Sequence, residues 1–357
     1  MTALRFRGPV LPDGEARTLY VADGRITYEP TSGADTEAEG WIVPGLVDAH
    51  CHLGLDDDGA VSAAETEAQA VQDRDAGALL IRDCGSAADT RWIHERDDLP
   101  RLIRCGRHIA RTKRYIRNYA HEIEPEDLAA CVRQEARRGD GWVKIVGDWI
   151  DRASGDLAPC WPREALDAAM AAAHDEGARV TAHCFGGECL TDLVEAGIDC
   201  IEHATGLTEE TVALFARRGV AIVPTLVNIA TFPSIAEHAE AKFPVYAKHM
   251  RALHARRHDT VRAAYYAGIP VYSGTDAGGS LAHGLVAAEV AELCAAGLPV
   301  PEAVGAASWT ARRWLGRPSL GEGESADLVV YDTDPLQDVE VLAHPRAVVL
   351  RGGMSRR

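Results

Sequence analysis

The chain has 357 residues, of which 46% are hydrophobic and 25% are charged, as in an ordinary soluble globular protein. Its net charge of −17 repels phosphate backbones and anionic membranes, so neither nucleic acids nor membranes are expected partners. The N-terminal residues lack the apolar core of a signal peptide, and the nine cysteines form no Cys-x-x-Cys pair, so we expect reduced thiols and a cytoplasmic location.

Both ends of the chain are predicted to form short strands. Residues 1–40 are turn-rich and strand-like, with a hairpin turn at Asp23–Gly24. Residues 320–335 and 346–351 are strand-like as well. Since neither end can bury a core alone, we predict that residues 1–43 and 317–357 combine into one small β-sandwich domain.

Between the two ends, strand-like runs alternate with helical patterns. The runs cover residues 46–50, 78–84, 101–105, 142–146, 178–184, 199–203, 220–224 and 269–276. Among the helical patterns, 162–177, 208–219 and 283–297 each end at a glycine, a common helix stop signal. This alternation favours an α/β fold, a (β/α)8 or TIM barrel, over residues 44–316.

Residues that can bind metal lie where the predicted strands end. Side chains alternate along a strand, so His50 and His52 face the same point and can hold a transition metal. Later strand ends supply Lys144, His183, His203 and Asp276. Barrel enzymes carry their chemistry at this end of the strands, so we predict that these side chains share one rim.

Lys144 is the unusual member of this set, because an ammonium group beside two divalent metals is strongly repelled. Reaction with carbon dioxide would convert the amine into a carbamate, which can bridge two metals as a carboxylate does. We therefore expect a two-metal site that holds a bridging hydroxide. Asp276 is expected to take the proton from the water and return it to the leaving group.

These residues resemble those of the amidohydrolase superfamily. The stretch PGLVDAHCH (44–52) is similar to its first-strand signature, and the later order of lysine, histidine, histidine and aspartate is the superfamily's order. Residues 178–227 and SGTDAGG (273–279) resemble more specifically the branch related to Xaa-Pro dipeptidase and imidazolonepropionase. The resemblance covers nearly the whole chain and implies the barrel, the terminal β-sandwich and metal-dependent hydrolysis.

The resemblance also implies a role for each ligand. His50 and His52 would bind the more buried metal together with Asp276, and His183 and His203 would bind the exposed metal. N6-carboxylated Lys144 would bridge the two. Zinc is the metal expected, while manganese, iron and cobalt stay open. Asp276 and His203 are the predicted catalytic residues, and self-association into a homo-oligomer is a family-level expectation.

A basic stretch after the third predicted strand, residues 110–122, is a candidate for binding substrate. It carries Arg114, Tyr115 and Arg117, and an arginine fork there could clamp a carboxylate. The alternative is a solvated or interface loop.

Four further residues are predicted to contact substrate. Trp149 and Phe185 could form an apolar wall, although packing between loops is the alternative. Asn228 and His283 follow the seventh and eighth predicted strands and could touch substrate, and His283 could instead support the ligands. Helix capping is the alternative for His283.

The leading interpretation is a metallohydrolase that cleaves an amide or peptide-like C–N bond of a small, carboxylate-bearing molecule. A second interpretation keeps the fold but assigns deamination or ring opening of a small heterocycle; Lys144 favours the two-metal hydrolase. A third is a non-catalytic barrel that binds or assembles, which the retention of all six predicted ligands disfavours.

Overall fold

The structure is a computed structural model that describes residues 3–317 and 319–356. Its strands are β1 (Leu4–Val10), β2 (Glu15–Ala22), β3 (Arg25–Thr27), β4 (Asp35–Glu39), β5 (Trp41–Pro44), β6 (Leu46–Asp56), β7 (Gly59–Ala60), β8 (Ala78–Asp83), β9 (Arg101–Arg104), β10 (Ile109–Arg111), β11 (His121–Ile123), β12 (Trp142–Val146), β13 (Asp148–Asp151), β14 (Asp156–Pro159), β15 (Arg179–Cys184), β16 (Cys200–His203), β17 (Ala221–Val223), β18 (Ala277–Gly279), β19 (Leu328–Tyr331), β20 (Ala347–Leu350) and β21 (Gly353–Arg356).

The helices lie mainly between the central strands. They are α1 (Ala63–Asp75), α2 (Leu128–Arg138), α3 (Arg163–Asp175), α4 (Leu190–Ala196), α5 (Glu209–Arg218), α6 (Leu226–Ile229), α7 (Phe232–Ala239), α8 (Pro244–Ala255), α9 (Arg257–Tyr266), α10 (Val286–Ala295), α11 (Val300–Ala306) and α12 (Trp309–Trp314). Short 3-10 helices span Arg91–Glu95, Pro125–Asp127 and Val339–Ala343. Within the described ranges, none of the helices combines the length and the apolar composition needed to cross a bilayer.

Strands from both ends of the chain share one eight-stranded sheet. Its order is β21-β20-β19-β5-β1-β2-β3, with β4 beside β1. β19 pairs antiparallel with β5, which joins the C-terminal strands to the N-terminal ones. Asp23 and Gly24 link β2 to β3 with φ values of +50° and +76°, as the predicted hairpin turn requires. The sandwich arrangement and the domain boundaries stay predictions.

The middle of the chain forms parallel strands in two sheets. One has the order β18-β6-β8-β9 with β7 at its edge, and the other has the order β11-β10-β12-β15-β16-β17. Nearly every residue of β6, β8, β12 and β16 is buried, as expected for parallel strands covered by helices.

Seven of the eight predicted central strands have a counterpart that starts and ends within a few residues of the prediction, except that β6 runs on to Asp56. The eighth, residues 269–276, makes only an isolated parallel bridge between Val271 and Ile222 and then runs beside β6 through backbone hydrogen bonds. Regular pairing with β6 begins only at Ala277 in β18, directly after Asp276, whose φ of +60° lies outside the β region.

The three clearest helical patterns correspond to α3, α5 and α10. α5 begins with a capping box in which the Thr208 hydroxyl accepts from the Thr211 amide, and it ends at Gly219 with a φ of +68°. This end is the left-handed glycine cap that the sequence predicts.

Candidate functional site

His50 and His52 lie near the middle of β6 and face Asp276 across the end of the central strands. The Nε2 atoms of both histidines lie 3.0 Å from Asp276 Oδ1, and they are 3.3 Å from each other. The two imidazoles are buried, and the Asp276 side chain is 18% exposed. Two imidazole nitrogens and a carboxylate oxygen that converge in this way form a suitable donor set for a divalent metal.

His183, the second-last residue of β15, and His203, the last residue of β16, lie beside this group. His203 Nε2 is 3.0 Å from His183 Nδ1, and the ring centroids of His203 and His50 are 5.0 Å apart. One ligand atom each from His50, His203 and Asp276 lies within 4.8 Å of the others. The histidines predicted from separate strand ends are therefore brought together.

Lys144 is fully buried in β12, and its Nζ has no hydrogen-bond partner among the described residues. It pairs with Thr181 of β15, so it lies on the same face as His183 and one two-residue step earlier. Burying an ammonium group without a partner is costly. An amine that reacts to become an anionic ligand would remove this cost, so its surroundings fit the predicted carbamate.

Burial keeps the imidazoles of His183 and His203 neutral. Burial first, with His203 and Lys144 adding to it, holds the pKa of His183 well below its usual range. Burial also dominates at His203, whose pKa is likewise held well below its usual range. His183 Nε2 is buried and has no partner among the described residues. Neutral imidazoles with a free nitrogen are the form that binds metal, so the donor set fits divalent ions.

Glu202 holds the ring nitrogen of His50 that faces away from Asp276, a role that sequence reasoning missed. His50 Nδ1 lies 2.7 Å from Glu202 Oε2, and Arg82 Nη2 donates to Glu202 Oε1 over 2.7 Å. The Thr181 hydroxyl also donates to this carboxylate. Although burial acts to raise it, Arg82 and His50 hold the pKa of Glu202 well below its usual range. An ionised Glu202 fixes the Nδ1–H tautomer and leaves His50 Nε2 free for a metal.

The other ring nitrogens of two further ligands are also held. His52 Nδ1 lies 2.8 Å from the Gly85 carbonyl oxygen, and His203 Nδ1 lies 2.7 Å from Thr225 Oγ1. Such partners fix the orientation of a ligating imidazole and commonly accompany metal sites.

Asn228, which was predicted to contact substrate, holds the carboxylate of Asp276. The side-chain Nδ2 of Asn228 donates to Asp276 Oδ2 over 2.6 Å. The other carboxylate oxygen of Asp276, Oδ1, faces the histidines. Asn228 lies in α6, whose start is fixed by the buried Glu289 carboxylate. That carboxylate accepts from the amides of Leu226 and Val227 over 2.9 Å each.

Tyr115, Trp149 and Phe185 surround His183 and form an aromatic wall. Their ring centroids lie 5.5, 5.2 and 4.3 Å from that of His183. Three of the residues predicted to contact substrate thus lie directly beside a predicted metal ligand.

His108, which sequence reasoning did not select, also faces the site. Its ring centroid is 4.9 Å from that of His52 and 5.2 Å from that of Tyr115. Both ring nitrogens are buried and have no partner among the described residues. Burial, with His52 and Lys144, holds the pKa of His108 well below its usual range, so the ring is neutral. The sequence feature that could have indicated His108 is its position just after the third predicted strand, residues 101–105.

The two arginines of the basic stretch lie in different surroundings. The Arg114 guanidinium donates to the carbonyl oxygens of Trp149 and Ala158 over 2.8 and 2.7 Å, so it ties this loop to β13 and β14. Arg117 is exposed. The structure therefore gives Arg114 backbone partners, whereas Arg117 projects into solvent.

His283 belongs to a second buried group, on the other side of β6. Its Nδ1 lies 2.8 Å from Asp73 Oδ2, and Cys51 completes a set whose ligand atoms lie within 4.8 Å of one another. Cys51 alternates away from His50 and His52 along the strand, so His283 is not part of the metal-facing cluster.

The sequence model described as "Amidohydrolase family" matches residues 41–353. A protein of Mycobacterium tuberculosis (strain ATCC 25618 / H37Rv), described as uncharacterized, is 57% identical over 351 residues, which are 98% of this chain and 95% of that protein. Ochratoxinase of Aspergillus niger is 24% identical over 365 residues, with 87% of this chain and 75% of that protein covered.

Solved structures share the fold. A crystal structure of a Xaa-Pro dipeptidase with bound methionine in its active site matches with a TM-score of 0.84 at 22% identity, covering 99% of this chain and 100% of that chain. The crystal structure of A. niger ochratoxinase matches with a TM-score of 0.81 at 20% identity, covering 100% of this chain and 96% of that chain. At these identities the likeness shows a common mixed α/β fold.

Proposed function

Because this chain belongs to the amidohydrolase family and is a hydrolase of carbon–nitrogen bonds, we propose that it cleaves an amide or peptide-like bond of a small, carboxylate-bearing molecule at a two-metal centre. The observation that carries the proposal is the convergence of His50, His52, His183, His203 and Asp276 around one point, with the unpartnered amine of Lys144 buried on the same face. A family of C–N hydrolases and a donor set of this kind point to the same chemistry.

We assign the ligands as the family resemblance implies. His50, His52 and Asp276 would hold one divalent ion and His183 and His203 the other, with carboxylated Lys144 shared between them. Zinc suits this set of imidazole and carboxylate donors. When bound, the ions would supply Lewis-acid polarisation of the substrate carbonyl and acidify a water molecule.

Asp276 is the proposed proton carrier. One carboxylate oxygen faces His50 and His52, and the other is held by the Asn228 amide, so the carboxylate cannot rotate freely. It would accept a proton from the attacking water and deliver it to the nitrogen of the leaving amine. The acyl C–N bond then breaks, and a carboxylic acid and an amine are released.

His108 and the aromatic wall are the proposed substrate contacts nearest the ligands. The neutral, unpartnered imidazole of His108 can donate one hydrogen bond and accept another. Tyr115, Trp149 and Phe185 provide apolar surface beside His183. Arg117 is proposed to attract an anionic substrate at the rim, and Arg114 to position Trp149 through its carbonyl oxygen.

We also infer that the two parallel sheets are parts of one (β/α)8 barrel. β9 pairs with β8 and β10 pairs with β12, so the chain between β9 and β10 passes from one sheet to the other. On the opposite side, the Val271–Ile222 bridge and the hydrogen bond from the Ala49 amide to the Ser273 carbonyl link β17 to β6. The terminal sheet would then fold as the predicted small β-sandwich.

The test is a screen of the zinc-loaded enzyme against N-acyl amino acids, dipeptides, cyclic amides and aminated heterocycles. We expect release of a free amine from an acyclic amide, and loss of that activity in Asp276→Asn. A matched control is Asp259→Asn, which alters an exposed aspartate on α9. Turnover of heterocycles alone, with ammonia release or ring opening, would overturn the proposal in favour of the alternative reaction.

A further inference from the structure

An apolar groove is lined by residues that follow Trp149, Asn228 and Asp276 closely in the chain. Its volume is about 730 Å³, within the range of about 300–1,000 Å³ typical of small-molecule sites. The apolar part of its lining comes from Ile150, Ile235, Ala239, Phe243, Tyr246 and Leu281. Hydroxyl groups, His238 and Lys242 complete the lining.

One wall of the groove is continuous with Asn228. The Thr231 hydroxyl, which lines the groove, donates to the Asn228 carbonyl oxygen over 2.8 Å. The side chain of Asn228 in turn holds Asp276. The helix that follows, α7, contributes Ile235 to the lining. The wall therefore begins at the residue that positions the proposed proton carrier.

Two other lining residues, Ser280 and Ile150, lie close in the chain to residues of the site. Ser280 lines the groove four residues after Asp276, and four residues of chain span at most about 14 Å. Ile150 directly follows Trp149, whose ring lies 5.2 Å from that of His183. A molecule whose reacting carbon lies at the metal-facing cluster could thus extend into the groove.

We propose that this groove binds the acyl part of the substrate, and that the enzyme prefers N-acyl amino acids with a long alkyl or aryl acyl group over small dipeptides. The inference rests on the proposed function. His238 and Lys242 of the lining are exposed, and the rest of the lining is mainly apolar, which favours an uncharged group over a carboxylate. The uncharged acyl half therefore occupies the groove, and the charged amino-acid half stays on the polar side with His108. Hydrolysis adds water across the acyl C–N bond and releases the fatty or aromatic acid and the amino acid.

The first experiment compares kcat/KM for one amino acid carrying acetyl, butyryl, hexanoyl, octanoyl and decanoyl groups. Each buried methylene is expected to raise kcat/KM about threefold to fourfold until the groove is full. Ile235→Trp and Leu281→Trp fill the groove from two different walls. In these variants kcat/KM should no longer rise with the length of the acyl chain. Val245→Ser, at a residue that is 55% exposed on α8 and does not line the groove, should keep the wild-type slope.

A second experiment measures binding without turnover, as the Kd of n-alkylphosphonates of increasing chain length determined by calorimetry. We expect Kd to fall with chain length in the wild-type enzyme and in Val245→Ser, and to level off in the two tryptophan variants. Binding that depends on chain length, without hydrolysis of any amide, would support the groove as a binding site for alkyl chains but would overturn the proposed function. The proposed role of the groove would be wrong if hydrolysis and binding did not depend on chain length. It would also be wrong if both tryptophan variants kept the wild-type dependence on chain length.

Discussion

At the scale of single residues, the site is defined by what holds each ligand as much as by the ligands themselves. Glu202 holds His50, the Gly85 carbonyl holds His52, and the Thr225 hydroxyl holds His203. Because the Nδ1 atoms of His50 and His52 are held in this way, their Nε2 atoms are directed at Asp276. The rings are therefore oriented before any metal binds, which lowers the entropic cost of binding it.

Glu202 should be required for metal affinity although it is not a predicted ligand. Glu202→Gln removes the charge that fixes the His50 tautomer and balances the buried Arg82. We expect metal affinity to fall about 10- to 100-fold, measured by competition with a chromophoric chelator. We also expect the free energy of unfolding to fall by about 3–5 kcal/mol, since an unpaired charge stays buried.

The matched control for this change is Glu210→Gln, which alters an exposed glutamate in the first turn of α5. It should leave both the metal affinity and the stability unchanged. Wild-type metal affinity in a folded Glu202→Gln enzyme would show that His50 does not depend on this carboxylate.

Asn228 should affect turnover more than metal binding. Asn228→Ala removes the hydrogen bond to Asp276 Oδ2 but leaves Oδ1 with its two histidines. A hydrogen bond to a charged group contributes about 1.5–3 kcal/mol, so we expect kcat to fall about 10- to 100-fold. Elemental analysis should find wild-type metal content in the variant. Metal loss in parallel with kcat would instead mean that Asn228 serves the ligand set.

At the scale of secondary structure, the strand ends are bent so that the ligands face inward. His203, Thr225 and Asp276 have φ values of +67°, +49° and +60°. Left-handed conformations cost a residue with a side chain about 1–2 kcal/mol, so the rest of the fold must stabilise them. Residues in such conformations cluster at functional sites, and here two predicted ligands and the partner of one of them share this feature.

Arg114 links its loop to the hairpin of β13 and β14. Arg114→Ala removes two hydrogen bonds from a charged donor to backbone carbonyls of β13 and β14, and we expect it to destabilise the protein by about 2 kcal/mol. It should also raise KM, because Trp149 loses its support. Arg117→Ala, at an exposed residue, should leave the free energy of unfolding unchanged. Chemical denaturation measures the free energy of unfolding of both variants. A stable Arg114→Ala enzyme with a raised KM would favour the substrate clamp that the sequence suggested.

At the scale of the whole molecule, the regular elements and the residues at their ends were predictable from the chain. Strand alternation and strand-end position were sufficient to select His50, His52, His183 and His203, because these are local properties of the sequence. Glu202 was not predictable in this way. It pairs with His183 in the register of β15 and β16 and so lies on the same face, but its partner His50 is on a strand far away in the sequence.

The irregular segments were also beyond local reasoning. The third predicted strand continues as a second piece, β10, after a break that brings His108 to the site. The eighth makes only an isolated bridge, and regular pairing with β6 begins just after Asp276. Both breaks are set by contacts with distant strands, which local periodicity does not contain. The loop tie of Arg114 likewise depends on a hairpin more than 30 residues away.

Metal binding should stabilise the whole fold, since the ligands come from strands far apart in the chain. A ligand that binds only the folded state at 100 times its Kd stabilises it by about 2.7 kcal/mol. Removal of metal by a chelator should therefore lower Tm, and added zinc should restore it in a concentration-dependent way. In His183→Ala this response should weaken. A Tm that is the same with and without metal would contradict a resident metal centre.

The most direct test of the two-metal centre is the metal content per chain, measured by elemental analysis on wild-type enzyme and Lys144→Ala purified without added metal or chelator. We predict about two ions per wild-type chain. Lys144→Ala should lose metal and activity, and short carboxylic acids, which can replace the carbamate, should partly restore both. Full metal content without Lys144, or about one ion in a fully active wild-type enzyme, would contradict the bridged two-metal centre.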